Sequence, residues 1–240
     1  NAPMRRTCCA APFADESQAR AALIQAGRKT VEYGLVDSYF GNISYRVLEN
    51  GTAPGPSDTI LISQTGSSLD DLAACLDPCR MDGGTCAGLT ASSEYSAHKA
   101  VYATGPSRGI LHGHPRFSVI VSLDCERVGC PGEGQCHRSC SQPRCVAGVF
   151  PGEVGLCRDV PIVPGEVGTG PYGLCNTLPP ALNGGVDGHG KNGGRRGVIV
   201  YGHGLFTLGA LDFTDAFAAL MEVERFCREE YFRRVAALGG

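Results

Sequence analysis

The chain has 240 residues, 42% hydrophobic and 19% charged, with a net charge of −3. That composition suits a globular protein with a substantial core and excludes a disordered chain. It provides no basic footprint for nucleic acid or an anionic membrane, and no apolar run approaches the roughly 20 residues that cross a bilayer. The opening Asn1–Arg6 lacks the apolar stretch of a secretory signal, so the expected setting is cytoplasmic. Residues 1–240 are expected to form a single domain. Thirteen cysteines are an odd number and cannot all pair within the chain. A secreted disulfide scaffold is usually much shorter, so reduced thiols that pack as small hydrophobes or bind metal are expected.

Asp15 followed by Gln18 resembles a capping box, and helix formers then run to Tyr33, where Gly34 supplies a stop. From Tyr39 to Arg46, Asn42, Ser44 and Arg46 alternate with apolar side chains, which predicts a strand. Thr59–Ser63 reads as its hairpin partner. A helix is predicted from Ser93 to about Ala103, a short buried strand from Gly109 to His114, and a helix opened by Pro115 and running to Leu123. Between Cys125 and Gly197 the texture turns to Cys, Gly and Pro, and Pro-Gly-Glu-Val-Gly occurs twice. Two copies of five residues are too few for a repeat architecture. Asn183–Arg196 is Gly-rich and polar and reads as a surface loop. Regular structure returns with a strand at Gly197–Tyr201 and a tight turn at Gly202–Gly204. The final helix places Phe213, Phe217, Leu220, Val223, Cys227, Tyr231 and Val235 on one stripe. Without a regular βαβ rhythm, the pattern suggests a sheet covered by helices rather than a doubly wound fold.

Three of the six histidines stand where metal ligands are expected. His112 and His114 are two apart on a strand, so both rings project from one face. Gly113 between them removes bulk from the other face. His203, flanked by Gly202 and Gly204 after an apolar strand, can bring in a third ring with little hindrance. For an isolated His-x-His pair, two satisfied core residues would be the better explanation. The third histidine and an upstream acid, Glu94, favour a catalytic zinc-type site with an exchangeable position. Glu94 follows Ser92–Ser93 at a predicted helix start, where hydroxyls and unpaired N–H groups suit an anion. Gly41–Asn42 and Thr65–Gly66 are further polar turns that could complete a phosphate cradle.

Gly41-Asn42-Ile43-Ser44, Ser63-Gln64-Thr65-Gly66, Ser92-Ser93-Glu94, His112-Gly113-His114 and Tyr201-Gly202-His203-Gly204-Leu205 resemble, in that order, the motifs of class II aldolase/adducin proteins. The resemblance covers most of residues 15–235. It implies a three-layer α/β/α fold with a central, mostly antiparallel sheet, usually assembled as a homotetramer with sites between subunits. It also implies that His112, His114, His203 and Glu94 bind Zn²⁺, with Mn²⁺ or Fe²⁺ as alternatives, and that Glu94 is the catalytic acid/base. Asn42, Thr65, Gly66, Ser92 and Ser93 match positions that hold a substrate phosphate. The implied reaction is a lyase cleavage of a small phosphorylated ketose through a metal-stabilised enediolate.

Two departures from the family pattern stand out. The family's tyrosine has no counterpart in Ala147–Gly155. A Cys-rich insertion at about 125–145, with Cys125, Cys130, Cys136, Cys140, Cys145 and His137, is a candidate for a second metal, although no Cys-x-x-Cys pair occurs. His98, one turn after Glu94, is either an orienting partner for the site or a satisfied helix histidine. Competing functions are a methylthio-sugar phosphate dehydratase and a non-catalytic adducin-like binding module. Sugar-phosphate epimerases of the same fold carry Asp where this chain has Glu94, and adducin-like modules lack the histidine set.

Overall fold

The computed structural model describes residues 11–37, 39–51, 53–83, 90–123, 144–145, 160–163, 170, 173–183 and 197–238. Helix α1 (Glu16–Glu32) begins where Asp15 Oδ1 accepts the Gln18 N–H at 2.9 Å, and Gln18 Oε1 reaches back to the N–H of Ala14. It ends as expected at Gly34, whose φ of +67° lets Gly34 N–H bond Val31 O and Leu35 N–H bond Thr30 O. Those two bonds satisfy carbonyls that the last turn would otherwise leave open.

Next come β1 (Asn42–Val47), β2 (Thr59–Ser63), β3 (Leu76–Arg80), α2 (Tyr95–Thr104), β4 (Gly109–Gly113) and α3 (Arg116–Leu123). The chain continues through β5 (Arg144–Cys145), β6 (Pro161–Val163), α4 (Leu174–Asn183), β7 (Gly197–Val200), β8 (Gly204–Gly209) and α5 (Thr214–Leu238). The strands form one eight-stranded sheet in the order β3-β2-β1-β4-β8-β7-β6-β5. Every pairing is antiparallel except that of β6 with β7.

Strand alternation sorts the side chains onto two cores. Ile43, Tyr45, Leu61, Leu111, Ile199 and Leu205 face α1, α3 and α5, meeting Leu23 and Leu220. Ile60, Ile62, Ile110, Val198 and Phe206 face α2 and α4, meeting Val101 and Leu178. Both faces of the sheet are therefore covered, which makes the three α/β/α layers anticipated from the sequence.

Several expectations are corrected here. Tyr39 and Phe40 lie before β1, not within it, and both are exposed. β1 is buried on both faces, its polar residues included. α2 starts at Tyr95, two residues later than Ser93, with Glu94 as its N-cap. The strands β3, β5, β6 and β8 and the helix α4 had no sequence expectation. α4 carries Pro179 and Pro180 inside it and anchors to α2 through Asn183, whose Nδ2 donates to Val101 O and Thr104 Oγ1. Cys79 is buried and disulfide-bonded, contrary to the expectation of reduced thiols, while Cys75, Cys175 and Cys227 form no disulfide. Among the described residues, no helix is long and apolar enough to cross a membrane.

Candidate active site

The site is laid out by a match between two repeats. Asn42, Ser44 and Arg46 recur every second residue along β1, and Glu94, His98 and Tyr102 recur every fourth residue along the start of α2. Two strand residues advance about 6.7 Å and four helical residues about 6 Å, so the two stripes stay in step over this distance. Asn42 meets Glu94 and His98, Ser44 meets His98 and Tyr102, and Arg46 NH1 donates to Tyr102 O at 2.6 Å. Arg46 is further balanced by Asp58, with Nε 2.7 Å from Oδ2 and both side chains almost fully buried. Among the described residues no buried side-chain nitrogen or oxygen lacks a partner. The buried polar face of β1 is thus fully paired, as burial requires.

The histidines gather at the end of this stripe. Asn42 lies opposite His112 in the β1–β4 register, which puts both side chains on the α2 face. The turn between β7 and β8 carries His203 alongside, held by Gly202 N–H bonding Ser122 Oγ at 2.8 Å. One ligand atom from each of His112, His114 and His203 lies within 4.8 Å of the others. Glu94 stands over them, with Oε1 3.2 Å from His203 Nε2 and Oε2 3.6 Å from His112 Nε2. His112 Nδ1 donates to the Leu205 carbonyl at 3.2 Å, so its Nε2 carries a lone pair aimed at the cluster, where His114 Nε2 lies 3.0 Å away. Phe206 stacks on the His112 ring at 3.9 Å between centroids, and Phe40 stacks on His114 at 5.6 Å.

Close backbone approach makes this convergence possible. A Cβ at Gly204 would collide with the Gly113 carbonyl and come within 2.8 Å of both the His112 and His114 rings. Gly41, at φ +82°, passes directly over the His112 carbonyl, where a side chain would also collide.

Burial sets the charge states. It depresses His98 and His112 to about 4, against the opposing pull of Glu94. It depresses His114 to about 3, helped by neighbouring His112 and His203. Burial pushes the Glu94 carboxyl upward, yet His112 and the hydrogen bonds of His203 and Asn42 outweigh it and hold Glu94 well below the usual carboxylate range. At neutral pH an ionised carboxylate therefore faces neutral imidazoles at His112 and His114, the protonation state in which these groups bind a divalent ion.

The turns expected to hold phosphate are also brought side by side. An isolated bridge pairs Gln64 with Ala91, Thr65 N–H bonds Thr90 O at 2.8 Å, and Ser92 N–H bonds Ser63 O at 3.0 Å. These bonds set Thr65–Gly66 against Ser92–Ser93. Gly66 takes φ +72°, and Thr65, Gly66 and Ser93 are exposed while Ser92 is buried. Gln64 and Thr90 are both fastened to the buried carboxylate of Asp77, at 2.8 and 2.6 Å. Asn42 differs from the rest of this set. Its Oδ1 is engaged with His98 and one N–H with Glu94, which leaves a single N–H for any ligand.

His98, with Ser44 and Tyr102 behind it, resolves the alternative left by the sequence. It is a satisfied buried histidine and it also contacts the residue that holds Glu94. Ser44 and Tyr102 were not anticipated, although Glu94, His98 and Tyr102 at four-residue spacing form a visible polar stripe. Cys125, Cys130, Cys136, Cys140, His137 and the segment Ala147–Gly155 lie outside the described residues, as does the side chain of Cys145.

Comparison with known proteins agrees with this architecture. The sequence profile of the class II aldolase and adducin N-terminal domain matches residues 21–231. No curated protein sequence matches. Among solved structures, an L-fuculose-1-phosphate aldolase from Thermus thermophilus superposes with a TM-score of 0.62 at 20% identity, covering 94% of this chain and 100% of its own. A sugar-phosphate aldolase from Thermotoga maritima gives 0.60 at 18% identity, covering 93% of this chain and 97% of its own. An L-fuculose 1-phosphate aldolase from Glaciozyma antarctica gives 0.57 at 17% identity, covering 98% and 79%. At such identities the likeness concerns the fold.

Proposed function

This chain belongs to the class II aldolase and adducin family, and from that premise we propose that it is a metal-dependent lyase that cleaves or forms a carbon–carbon bond in a small phosphorylated ketose. The observation that carries this reading is the convergence of His112, His114 and His203 beside Glu94. Four ligands about 2.0–2.1 Å from one ion stand roughly 3.3 Å apart, and the separations here lie close to that range. The inward-facing Nε2 lone pair of His112, with His114 Nε2 beside it, and the ionised Glu94 suit Zn²⁺, or Mn²⁺ or Fe²⁺ in its place. A divalent ion held there supplies Lewis acidity toward the carbonyl and hydroxyl oxygens of a sugar.

The residues of the chain do the rest. Glu94 Oε1, on the side of the partly exposed His203, carries the proton to and from the carbon beside the carbonyl. The peptide N–H groups of Gly66 and Ser93, the hydroxyls of Ser92 and Ser93 and the remaining N–H of Asn42 hold the phosphate. Thr65, whose N–H and hydroxyl bond the carbonyls of Thr90 and Ala91, shapes the turn that presents them. We further propose that residues 1–240 form one domain and that four copies assemble with sites at their boundaries. The histidine set speaks against a purely non-catalytic module.

Metal analysis and a screen of ketose phosphates test this reading together. The expected result is about one equivalent of divalent metal and release of an aldehyde with a phosphorylated ketone fragment. Release of water, and never an aldehyde, would replace the lyase reading with the methylthio-sugar phosphate dehydratase.

A further inference from the structure

We propose that His98 and Asn42 are positioning residues that anchor one oxygen of Glu94, through a one-directional hydrogen-bond chain, and leave the other oxygen free to act. The inference rests on the reading of Glu94 as metal ligand and proton carrier, and adds how that side chain is held.

The direction of the chain follows from donor and acceptor counts. An ionised carboxylate only accepts, so Asn42 must present Nδ2 to Glu94 Oε2, 2.7 Å away. Its Oδ1 then faces His98 Nε2 at 2.5 Å and can only accept, so Nε2 carries the proton. A neutral ring leaves Nδ1 bare, and Nδ1 takes the hydroxyl proton of Ser44 at 2.7 Å. The Tyr102 hydroxyl closes the chain, 2.8 Å from Ser44 Oγ and 3.1 Å from the carbonyls of Ser44 and Arg108. From Ser44 onward every proton points toward Glu94, while the single Tyr102 proton can serve only one of its three acceptors. Reversing the Asn42 amide would set Oδ1 against the carboxylate and Nδ2 against the Nε2–H of His98, two repulsive contacts. The Glu94 carboxylate sets which end of Asn42 faces it, and His98 in its Nε2–H form locks that orientation from behind.

This anchoring separates the two carboxylate oxygens. Oε2 is tied to Asn42 beside the fully buried His112, whereas Oε1 lies 3.2 Å from His203, whose side chain is 23% exposed. A carboxylate pivoting on Oε2 keeps Oε1 on the accessible side, where a ligand arrives. The stripe spacing of β1 and α2 fixes the pivot in the rigid interior.

The test uses Co²⁺ alone, titrated into metal-stripped protein and followed by its visible absorption, with a thermal midpoint for every variant. His98→Leu should weaken Co²⁺ binding roughly 10-fold and shift the spectrum, since partners behind a ligand typically contribute 10–100-fold. In a Glu94→Ala background, the same change should cost almost nothing further, because no carboxylate remains to be placed. His98→Gln, which can put an N–H where Nε2 stands, should recover most of the affinity. His98→Asn is too short to reach Asn42 and should not, and it carries the same cycle if His98→Leu does not fold. An equal loss in both backgrounds would overturn the proposal, as would a His98→Leu spectrum and affinity identical to wild type. Failure of the wild-type protein to take up Co²⁺ would instead bring down the metal reading, and this inference with it.

Discussion

The histidine cluster and the two polar turns adjoin at Ser92–Glu94, yet they are built in opposite ways. His112 is fully buried on a strand paired on both sides, its ring fixed by the Leu205 carbonyl and stacked on Phe206. Glu94 is held from behind by the chain through Asn42. Thr65, Gly66 and Ser93 are exposed and offer mainly backbone groups and small hydroxyls, steadied from beneath by Asp77. Groups that exchange protons or bind a metal depend on orientation, so they sit on β4 and its end, at the N-cap of α2, and in a β7–β8 turn pinned by Ser122. A phosphate can be met by any suitable set of N–H and O–H donors, so turns suffice. Recognition can thus change in the turns without disturbing the chemistry on the strands.

If that division is right, substitutions on the two sides should separate metal, turnover and binding. The largest effect is expected from His112→Ala. It should abolish metal uptake and reduce turnover by about 10³-fold or more, the equivalent of several kcal/mol of lost charge stabilisation. Metal analysis alongside kcat checks both, and full metal content in that variant would break the cluster as described.

Glu94→Gln comes next. Three imidazoles remain, so metal should stay bound, while kcat falls about 10²–10⁴-fold because the amide cannot carry a proton. Exchange of the proton beside the carbonyl, followed by NMR in D₂O, should be suppressed in parallel. Unimpaired exchange would remove Glu94 from the acid/base role.

On the other side, Ser93→Ala should leave metal content unchanged and raise the KM for a phosphorylated ketose about 10-fold. That is the value of one hydrogen bond to a charged group. The same KM for a phosphate-free analogue in both proteins would confirm that the phosphate is what the turn holds. A fall in kcat at constant KM would show that the turns take part in the chemistry and would erase the division.

Much of the cluster was legible because its signals are local. His112 and His114 share a strand face, and His203 announces itself between Gly202 and Gly204. The helix limits at Asp15 and Gly34 were equally local, since capping is decided within a few residues. What escaped notice depends on partners distant in sequence. Nothing near Ser44 or Tyr102 shows that each will be buried against the other, 58 residues apart. β3 was hidden by Asp77 and Pro78, a proline that an edge strand tolerates because one side of it needs no partner. α4 was hidden by Pro179 and Pro180, and here tertiary contact with α2 overrides local preference.

The smallest predicted effect concerns pH, and it again separates the two sides. His98 and His112 are depressed by burial to about 4 in the folded protein, against roughly 6.5 when unfolded. Between those values the unfolded chain binds more protons than the folded one, so stability rises with pH across about 4–6.5 and levels off above it. Each histidine contributes up to about 1.4 kcal/mol per pH unit inside that window. Glu94, also depressed, adds a further loss only below about pH 4.5. Urea midpoints of the metal-stripped protein should therefore fall steadily from pH 7 to pH 5, and Ser93→Ala should follow the same slope because the turns add no titrating group of their own. Replacing His98 by Gln should make the slope shallower, by the share of one histidine. An unchanged slope in His98→Gln would mean that His98 titrates normally in the folded chain, and the buried neutral ring on which the Glu94 anchor depends would be wrong.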